Sequence, residues 1–186
     1  MKFENTEILG CKMLTPNLFY DKRGNFFELW NDCVWVENGV DCVFVQDNII
    51  TSTVGSLRGM HTQLKYPQAK IVCCLKGAIY DVVVDCRPNS PTFGKWYGKN
   101  LNQDNHNMLL IPQGVAHGYY SLSEATIFMK VSTHYTPGDE IGFKWDDESI
   151  GIEWPFESNS EPILAEKDKN WGNFNEMMKL LEKFRI

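Results

Sequence analysis

Residues 70–86 read KIVCCLKGAIYDVVVDC, and this stretch decides the fold class. It contains two apolar runs, at 70–75 and 79–86, with Gly77 between them. Short runs rich in valine and isoleucine that are bounded by a turn residue are typical of buried β-strands. The neighbouring thiols Cys73 and Cys74 lie inside the first run, so we expect both to be buried strand residues.

Further runs of the same kind lie on both sides of this stretch, at 42–46, 108–111 and 127–132. The turn residues beside them are Pro88-Asn89, Pro112-Gln113-Gly114 and Pro137-Gly138. Short strands at this spacing favour a sandwich or a closed barrel over alternating strands and helices. A closed barrel also has no exposed edge strands. We therefore predict an all-β fold and, because no repeat or linker is visible, one domain over 1–186.

The helical signal lies at the end of the chain, where residues 173–186 read NFNEMMKLLEKFRI. Apolar residues recur there at helical spacing, namely Phe174, Met177, Met178, Leu181 and Phe184. Such an apolar face packs against a barrel more often than it binds a partner, and we expect packing. A weaker helical pattern covers 32–37.

Composition narrows the possible functions. The net charge is −6 and no basic stripe is visible, so we expect no nucleic-acid partner. No stretch of about 18 apolar residues occurs, and the N-terminal MKFENTEILG does not resemble a signal peptide, so we expect no membrane span. The six cysteines form no C-x-x-C pair, which argues against a zinc knuckle, and a reducing cytoplasm is the simplest location. The aromatic content of 13% fits either an aromatic-lined cleft or an ordinary β core.

Four segments are rich in polar side chains: 21–28 (DKRGNFFE), 45–48 with 55–63 (VQDN and GSLRGMHTQ), 112–119 (PQGVAHGY) and 164–168 (LAEKD). Taken singly, the first is typical of a hairpin with solvated charges and the last of a solvated loop. Arg58 and His61 would be costly to bury unless they are partnered or face a wet cavity. Gly55 and Gly59 permit a turn or bulge that re-aims side chains. An isolated histidine is usually structural, but one beside Arg58 and Gln63 fits a structural or a functional role equally well.

Together these segments resemble the dTDP-4-dehydrorhamnose 3,5-epimerase family. The resemblance runs through nearly the whole chain, in the order DKRGNFFELW, VQDN, GSLRGMHTQ, QAKIV, DVVVDCRPNSPTFGKW, IPQGVAHGYY, WDDESIGIEWPF and AEKD. It implies a cupin-type jelly-roll β-barrel with a few peripheral helices. It also implies a homodimer in which residues 23–28 help to complete the partner's site. The implied substrate is a 4-keto-6-deoxy sugar linked to dTDP or GDP, used in deoxysugar or heptose biosynthesis for surface polysaccharide.

The same resemblance assigns roles to single residues. His61 matches the base that removes the proton next to the ketone, Asp168 the carboxylate that orients it, and Lys70 the cation that stabilises the enolate. Further positions match contacts with the substrate or its nucleotide, and these are Arg23, Glu28, Gln46, Asn48, Arg58, His117, Tyr135, Glu140 and Lys167.

No metal and no cofactor are expected. Cupins often bind a metal through two histidines separated by one residue, whereas Thr62 and Gln63 follow His61. This also disfavours a metal-dependent oxygenase. His106 and His134 match no role in the family, and we expect both at the surface.

Met129 departs from the family pattern. The resemblance places there a tyrosine that delivers or relays a proton on the face of the sugar opposite the base, and a thioether has no proton to give. Three interpretations are open: inversion of one centre only, inversion of both C3 and C5 by a modified route, or binding without catalysis. We expect an epimerase that inverts C3, with inversion of C5 as the open question. A 4-keto-sugar isomerase and a non-catalytic sugar-nucleotide-binding protein are the alternatives.

Overall fold

The structure is a computed structural model that describes residues 1–156 and 161–184. Its strands are β1 (Lys2–Asn5), β2 (Lys12–Thr15), β3 (Phe19–Asp21), β4 (Gly24–Phe26), β5 (Gln46–Ser52), β6 (Leu57–Gln63), β7 (Lys70–Lys76), β8 (Ala78–Asp85), β9 (Trp96–Asn102), β10 (Met108–Ile111), β11 (Val115–Ser121), β12 (Ala125–Val131) and β13 (Glu140–Gly142). Its helices are α1 (Asp32–Glu37), α2 (Glu166–Lys169) and α3 (Phe174–Phe184).

Two antiparallel sheets form the barrel. The strand order is β1-β2-β10-β7-β12-β5 in the six-stranded sheet and β13-β6-β11-β8-β9 in the five-stranded sheet. Apolar side chains of both sheets pack into one core, with Val72 and Ile127 from the first sheet and Val83 and Leu101 from the second. The strands β3 and β4 form a separate hairpin. This architecture confirms the predicted all-β jelly-roll barrel.

The C-terminal helix packs on the outside of the five-stranded sheet. Val83 lies in the inner core, whereas its neighbours Val82 and Val84 belong to the cluster that contains the buried face of α3. The predicted packing of this helix is therefore confirmed. Phe184 differs from the expectation because it is 48% exposed, and residues 185–186 of the predicted helix lie outside the described residues.

The short helix α1 has the predicted bounds and packs on the opposite side of the molecule. Trp35 is fully buried there in one cluster with Ile71 and Cys73. Cys74 lies in the inner core instead, so the two neighbouring thiols are both buried, as predicted, on opposite faces of β7. No helix within 1–156 and 161–184 is long and apolar enough to cross a bilayer.

The prediction of a strand at 42–46 is wrong. Residues 41–45 have no regular structure, and β5 begins at Gln46, where its ladder with β12 starts opposite Val131. Val43 is 79% exposed, so the apolar run does not indicate burial here. The true strand is polar at its inward positions Gln46 and Asn48 because these side chains line a cavity, and its hydrophobic pattern is correspondingly weak.

Candidate active site

Side chains of both sheets line two adjoining cavities. We call them the histidine cavity, of about 180 Å³, and the amide cavity, of about 330 Å³. The histidine cavity brings together the predicted residues Arg58, His61, Lys70, His117, Met129, Glu140, Lys167 and Asp168. The amide cavity adds Gln46, Asn48 and Tyr135, and the two cavities share Ile50, Lys70, Met129 and Glu140.

Strands β6 and β11 place His61 and His117 side by side. The two residues are direct partners in the strand register, and a bulge follows between His117 and Tyr119. The strands approach closely because Gly59 and Gly118 meet beside the histidines: a Cβ atom on Gly59 would lie 2.5 Å from the Cα atom of Gly118. Side chains at these glycines would therefore force the two histidines apart.

His61 is held by a buried carboxylate. Its Nε2 atom lies 2.6 Å from Oδ1 of Asp168, which is 2% exposed and also accepts a bond from Trp171 Nε1 at 3.3 Å. Burial alone would raise the pKa of Asp168, but the bonds from His61 and Trp171 outweigh it and hold the pKa below its ordinary value. Because an ionised Asp168 accepts a hydrogen bond from the Nε2–H group, Nδ1 is the ring atom left to act as a base. Taken alone, the segment 164–168 was expected to be a solvated loop. Asp168 instead lies buried in helix α2.

Glu140 contacts the other side of the same imidazole. Its Oε1 atom lies 3.3 Å from His61 Nδ1, and its Oε2 atom accepts a hydrogen bond from Lys167 Nζ. Strand β13 fixes this position because Glu140 pairs with Gln63 of β6, two residues beyond His61. The resemblance predicted a substrate contact for Glu140 and Lys167, and the structure adds a direct contact between Glu140 and the candidate base.

Lys70 brings a positive charge into the cavity wall at the start of β7. The residue is 6% exposed, and burial lowers the pKa of its amine to about 8, although the carboxylates of Glu140 and Asp81 oppose the shift. The amine therefore remains mainly protonated at neutral pH while it has little contact with water. A poorly hydrated ammonium interacts strongly with negative charge that develops nearby.

Asp81 is a site residue that the sequence analysis missed. It is fully buried on β8, and its Oδ1 atom lies 2.7 Å from Nε2 of His117. Its Oδ2 atom has no hydrogen-bond partner in the described part of the chain. A signal was present, because a carboxylate inside the apolar run AIYDVVVD is costly to bury without a partner.

Arg58 is anchored at the other end of the histidine cavity. Its Nε atom donates to Ser52 Oγ at 3.2 Å, and Nη2 donates to the carbonyl oxygen of Thr51 at 3.3 Å. Ser52 Oγ lies 2.9 Å from the hydroxyl of Tyr119, which also lines this cavity. Neither Ser52 nor Tyr119 was singled out from the sequence.

The amide cavity is built from hydrogen-bonded amides. Gln46 Nε2 donates to Oδ1 of Asn48 at 2.8 Å, and Gln46 Oε1 accepts from the backbone N–H of Tyr135 at 3.0 Å. Tyr135 is 69% exposed at the rim. An aromatic ring beside these amide groups suits a heterocyclic base, which stacks and hydrogen-bonds at the same time.

Comparison with known proteins identifies the family. A sequence model described as dTDP-4-dehydrorhamnose 3,5-epimerase matches residues 5–176. The chain belongs to the dTDP-4-dehydrorhamnose 3,5-epimerase family. The enzyme of that name from Shigella flexneri is 45% identical over 94% of this chain and 96% of its own.

Solved structures of the 3,5-epimerase family agree with this fold. The enzyme from Legionella pneumophila, in complex with dTDP-4-keto-L-rhamnose, is 36% identical with a TM-score of 0.92 and covers 97% of this chain and 96% of its own. A 3'-monoepimerase from Streptomyces bikiniensis, in complex with dTDP-quinovose, is 30% identical with a TM-score of 0.87. It covers 95% of this chain and 90% of its own. The structures similar to this chain thus include enzymes described as acting at two centres and at one.

Two residues that the resemblance to the 3,5-epimerases selected lie apart from both cavities. Arg23 pairs with Asp21 on the β3–β4 hairpin, and Glu28 accepts a bond from Asn31 after it. In the described part of the chain, neither Arg23 nor Glu28 lines either cavity.

Met129 lies on the wall that the two cavities share. It is paired with Asn48 of β5 and with Val72 of β7, so the strand register fixes its position. At the position where the resemblance predicted a tyrosine, an apolar thioether meets the cavity. Ile50 of the neighbouring strand extends the same apolar wall.

The remaining histidines differ from each other. His134 is exposed, as expected, at the edge of the amide cavity. His106 is only partly exposed and lies against Phe27, with ring centroids 4.8 Å apart, so the expectation of a surface position does not hold for it. Within the described residues, no group of three or more His, Cys, Asp or Glu side chains is arranged to hold a metal ion.

Proposed function

We propose that this protein is an epimerase that inverts C3 of a nucleotide-diphosphate-linked 4-keto-6-deoxy sugar by removing the proton next to the ketone. The observation that carries the proposal is the His61–Asp168 pair at 2.6 Å, facing a cavity that also contains the Lys70 amine. A binding protein has no need of an imidazole held in one tautomer beside a desolvated cation.

The proposed mechanism begins with proton abstraction. Nδ1 of His61 takes the C3 proton, and the imidazolium that results is stabilised by Asp168 on its other nitrogen. The electrons move to the ketone oxygen, where the charge of Lys70 stabilises the enolate. A substrate carbon that approaches Nδ1 must displace the carboxylate of Glu140, which Lys167 is placed to hold.

The two cavities suggest how the rest of the substrate binds. The fork-shaped guanidinium of Arg58 suits the diphosphate, with Ser52 and Thr51 fixing its orientation. Gln46, Asn48 and Tyr135 are proposed to hold the nucleotide, and His117 to contact the sugar. The relatives with dTDP-linked ligands support dTDP as the nucleotide, and GDP is the alternative.

Restriction to C3 rests on Met129. A thioether on the wall shared by both cavities has no proton for a ring carbon, so the tyrosine-dependent route of the family is closed to this chain. The 3'-monoepimerase among the structural relatives supports single inversion as an activity of this fold.

We also propose a homodimer that completes each site across the interface. The β3–β4 hairpin carries Arg23 and exposes the rings of Phe19, Tyr20 and Phe26, which are 62%, 69% and 68% exposed. A second copy of the chain would cover these rings and receive Arg23 and Glu28. A monomer with full activity at micromolar concentration would exclude this arrangement.

Three further properties belong to the same proposal. The chain folds as one unit, because both sheets share one core. The exposed thiol of Cys33 suits a reducing cytoplasm. The reaction needs no metal, because enolate formation next to a ketone requires only a base and a charge stabiliser.

The decisive experiment is incubation with 4-keto sugar nucleotides in D2O, followed by NMR. Deuterium at C3 with inverted configuration, and little at C5, is the expected result. Rapid inversion at both carbons would contradict the restriction to C3. Aldose–ketose rearrangement would indicate the isomerase, and binding without any exchange would indicate a non-catalytic protein.

A further inference from the structure

Inversion at a ring carbon needs a proton donor on the face opposite the base. In this chain the histidine cavity has a thioether, Met129, on its wall, and a thioether cannot donate. His61, Asp168, Glu140 and Lys167 form one connected group. Among the other described residues that line this cavity, the protic groups are Arg58, Lys70, His117 and Tyr119. Arg58 donates to Ser52 Oγ and to the carbonyl oxygen of Thr51, and His117 is held through Nε2 by the buried carboxylate of Asp81.

Tyr119 brings a phenol to this cavity from β11. It lies two residues beyond His117, so both side chains point to the inner side of the sheet, and their ring centroids are 6.2 Å apart. Tyr119 is 3% exposed and belongs to the core cluster against which Met129 packs. Its hydroxyl reaches Ser52 of β5, which lies beside β12 in the sheet that faces β6 and His61. The phenol oxygen is therefore on the side of the cavity that carries Met129, across from the base.

A hydrogen-bond chain leads to the phenol oxygen. Arg58 Nε donates to Ser52 Oγ at 3.2 Å, and Ser52 Oγ lies 2.9 Å from Tyr119 Oη. Because the Ser52 oxygen already accepts from Arg58, its own proton can be donated to Tyr119, which leaves the phenolic proton available to a ligand. Burial raises the pKa of Tyr119, whereas Ser52 and Arg58 oppose the shift. The phenol thus keeps its proton until a carbanion takes it, and the phenolate then has two stabilising neighbours.

We propose that Tyr119 is the catalytic residue that protonates C3 on the face opposite His61, an inference that rests on the proposed epimerase function. His61 Nδ1 first takes the C3 proton, and the electron pair of the C–H bond moves into the enolate. The enolate carbon then takes the phenolic proton of Tyr119, which leaves a phenolate held by Ser52 and, through it, by Arg58. The phenolate regains a proton from water and His61 releases one, so no atom or electron is gained or lost.

The test separates proton removal from inversion. In D2O, Tyr119→Phe is expected to keep deuterium exchange at C3 with retained configuration, because His61 still removes and returns the proton. Formation of the inverted product should fall by about 10²- to 10⁴-fold, the usual contribution of a general acid. Tyr120→Phe is the matched control, because Tyr120 is the neighbouring buried tyrosine and packs on Phe156 instead, with ring centroids 4.9 Å apart.

The outcomes assign failure to different steps. Inversion by Tyr119→Phe at the wild-type rate would overturn the proposal and assign the donor to Lys70 or water. Loss of exchange together with inversion would overturn it too, because Tyr119 would then support the base. A wild-type enzyme without exchange would refute the epimerase function itself. If Tyr119→Phe does not fold, Ser52→Ala keeps the phenol but removes its link to Arg58. Because Ser52 also orients Arg58 for the diphosphate, this variant is measured at saturating substrate, and a fall in the ratio of inversion to exchange is the result that the proposal requires.

Discussion

Replacement of Lys70 by methionine is expected to make the fold more stable and the enzyme inactive. The pKa of this amine falls from its ordinary value of 10.5 to about 8, chiefly through burial. At about 1.4 kcal/mol for each pH unit, the charged amine costs about 3 kcal/mol of folding free energy at neutral pH. Methionine fills a similar volume without that cost, but it removes a cation that Glu140 and Asp81 favour, while Glu140 keeps its ion pair with Lys167, so we expect a net gain of about 1–3 kcal/mol.

The pH dependence has a defined sign. Below about pH 8 the amine is charged in both the folded and the unfolded chain, and wild type bears the full cost. Between about pH 8 and 10.5 the folded amine loses its proton while the unfolded amine keeps it, so the cost fades as the pH rises. The stability difference between Lys70→Met and wild type should therefore shrink by about 2 kcal/mol from pH 7 to pH 10. Wild-type activity should fall over the same range because the enolate loses its stabilising charge.

Urea unfolding of both proteins at one protein concentration, at pH 7 and pH 10, measures these differences. Lys76→Met is the control, because Lys76 is on the same strand but its side chain is 67% exposed. It should change neither stability nor activity appreciably. A Lys70→Met variant that is less stable than wild type at pH 7, or a difference that does not change with pH, would refute the reasoning. Retained activity in Lys70→Met would remove Lys70 from the mechanism.

The other predictions concern the base, the apolar wall and metal dependence. His61→Asn should reduce solvent exchange at C3 by about 10²- to 10⁴-fold. Asp168→Asn should reduce the exchange by as much or less, because it disturbs the tautomer of His61 but leaves the base in place. Near-normal exchange in His61→Asn, measured by NMR in D2O, would contradict the mechanism. Met129→Tyr should increase deuterium incorporation and inversion at C5, and an unchanged C5 rate would show that the missing phenol does not limit the enzyme. Thorough chelation should leave turnover unchanged, whereas loss of turnover that a divalent metal restores would overturn metal independence.

The barrel could be predicted because its strands are buried on at least one face. The runs that form β7, β8, β10 and β12 are apolar, and the turns between them contain glycine or proline. The strand predicted at 42–46 was wrong because an apolar run is buried only when a neighbouring element packs on its side chains. Val43 is largely exposed, so no part of the described chain packs closely on it. Strand β5 was hidden for the opposite reason, since a strand that lines a polar cavity has little hydrophobic periodicity.

The sequence predicted many of the residues that belong to the candidate site, but few of the contacts between them. Asp168 is far from His61 and Lys70 in the sequence, and the family resemblance, rather than spacing, assigned these three residues to one site. The contact between Glu140 and His61 depends on the register of β13 with β6, which no local pattern encodes. Asp81 was accessible in principle, because a carboxylate inside a buried strand must have a partner, and that partner is His117.

The cost of Lys70 in folding and its use in catalysis have one physical cause. An ammonium in water is surrounded by solvent dipoles that would have to reorient as negative charge appears on the ketone oxygen. Lys70 is 6% exposed, so that hydration shell is largely absent, and the carboxylates of Glu140 and Asp81 favour its charged form. The same loss of water lowers its pKa to about 8 and strengthens its attraction to an enolate. A variant that restores hydration at this position should therefore recover stability only by giving up rate, and no substitution of Lys70 is expected to improve both.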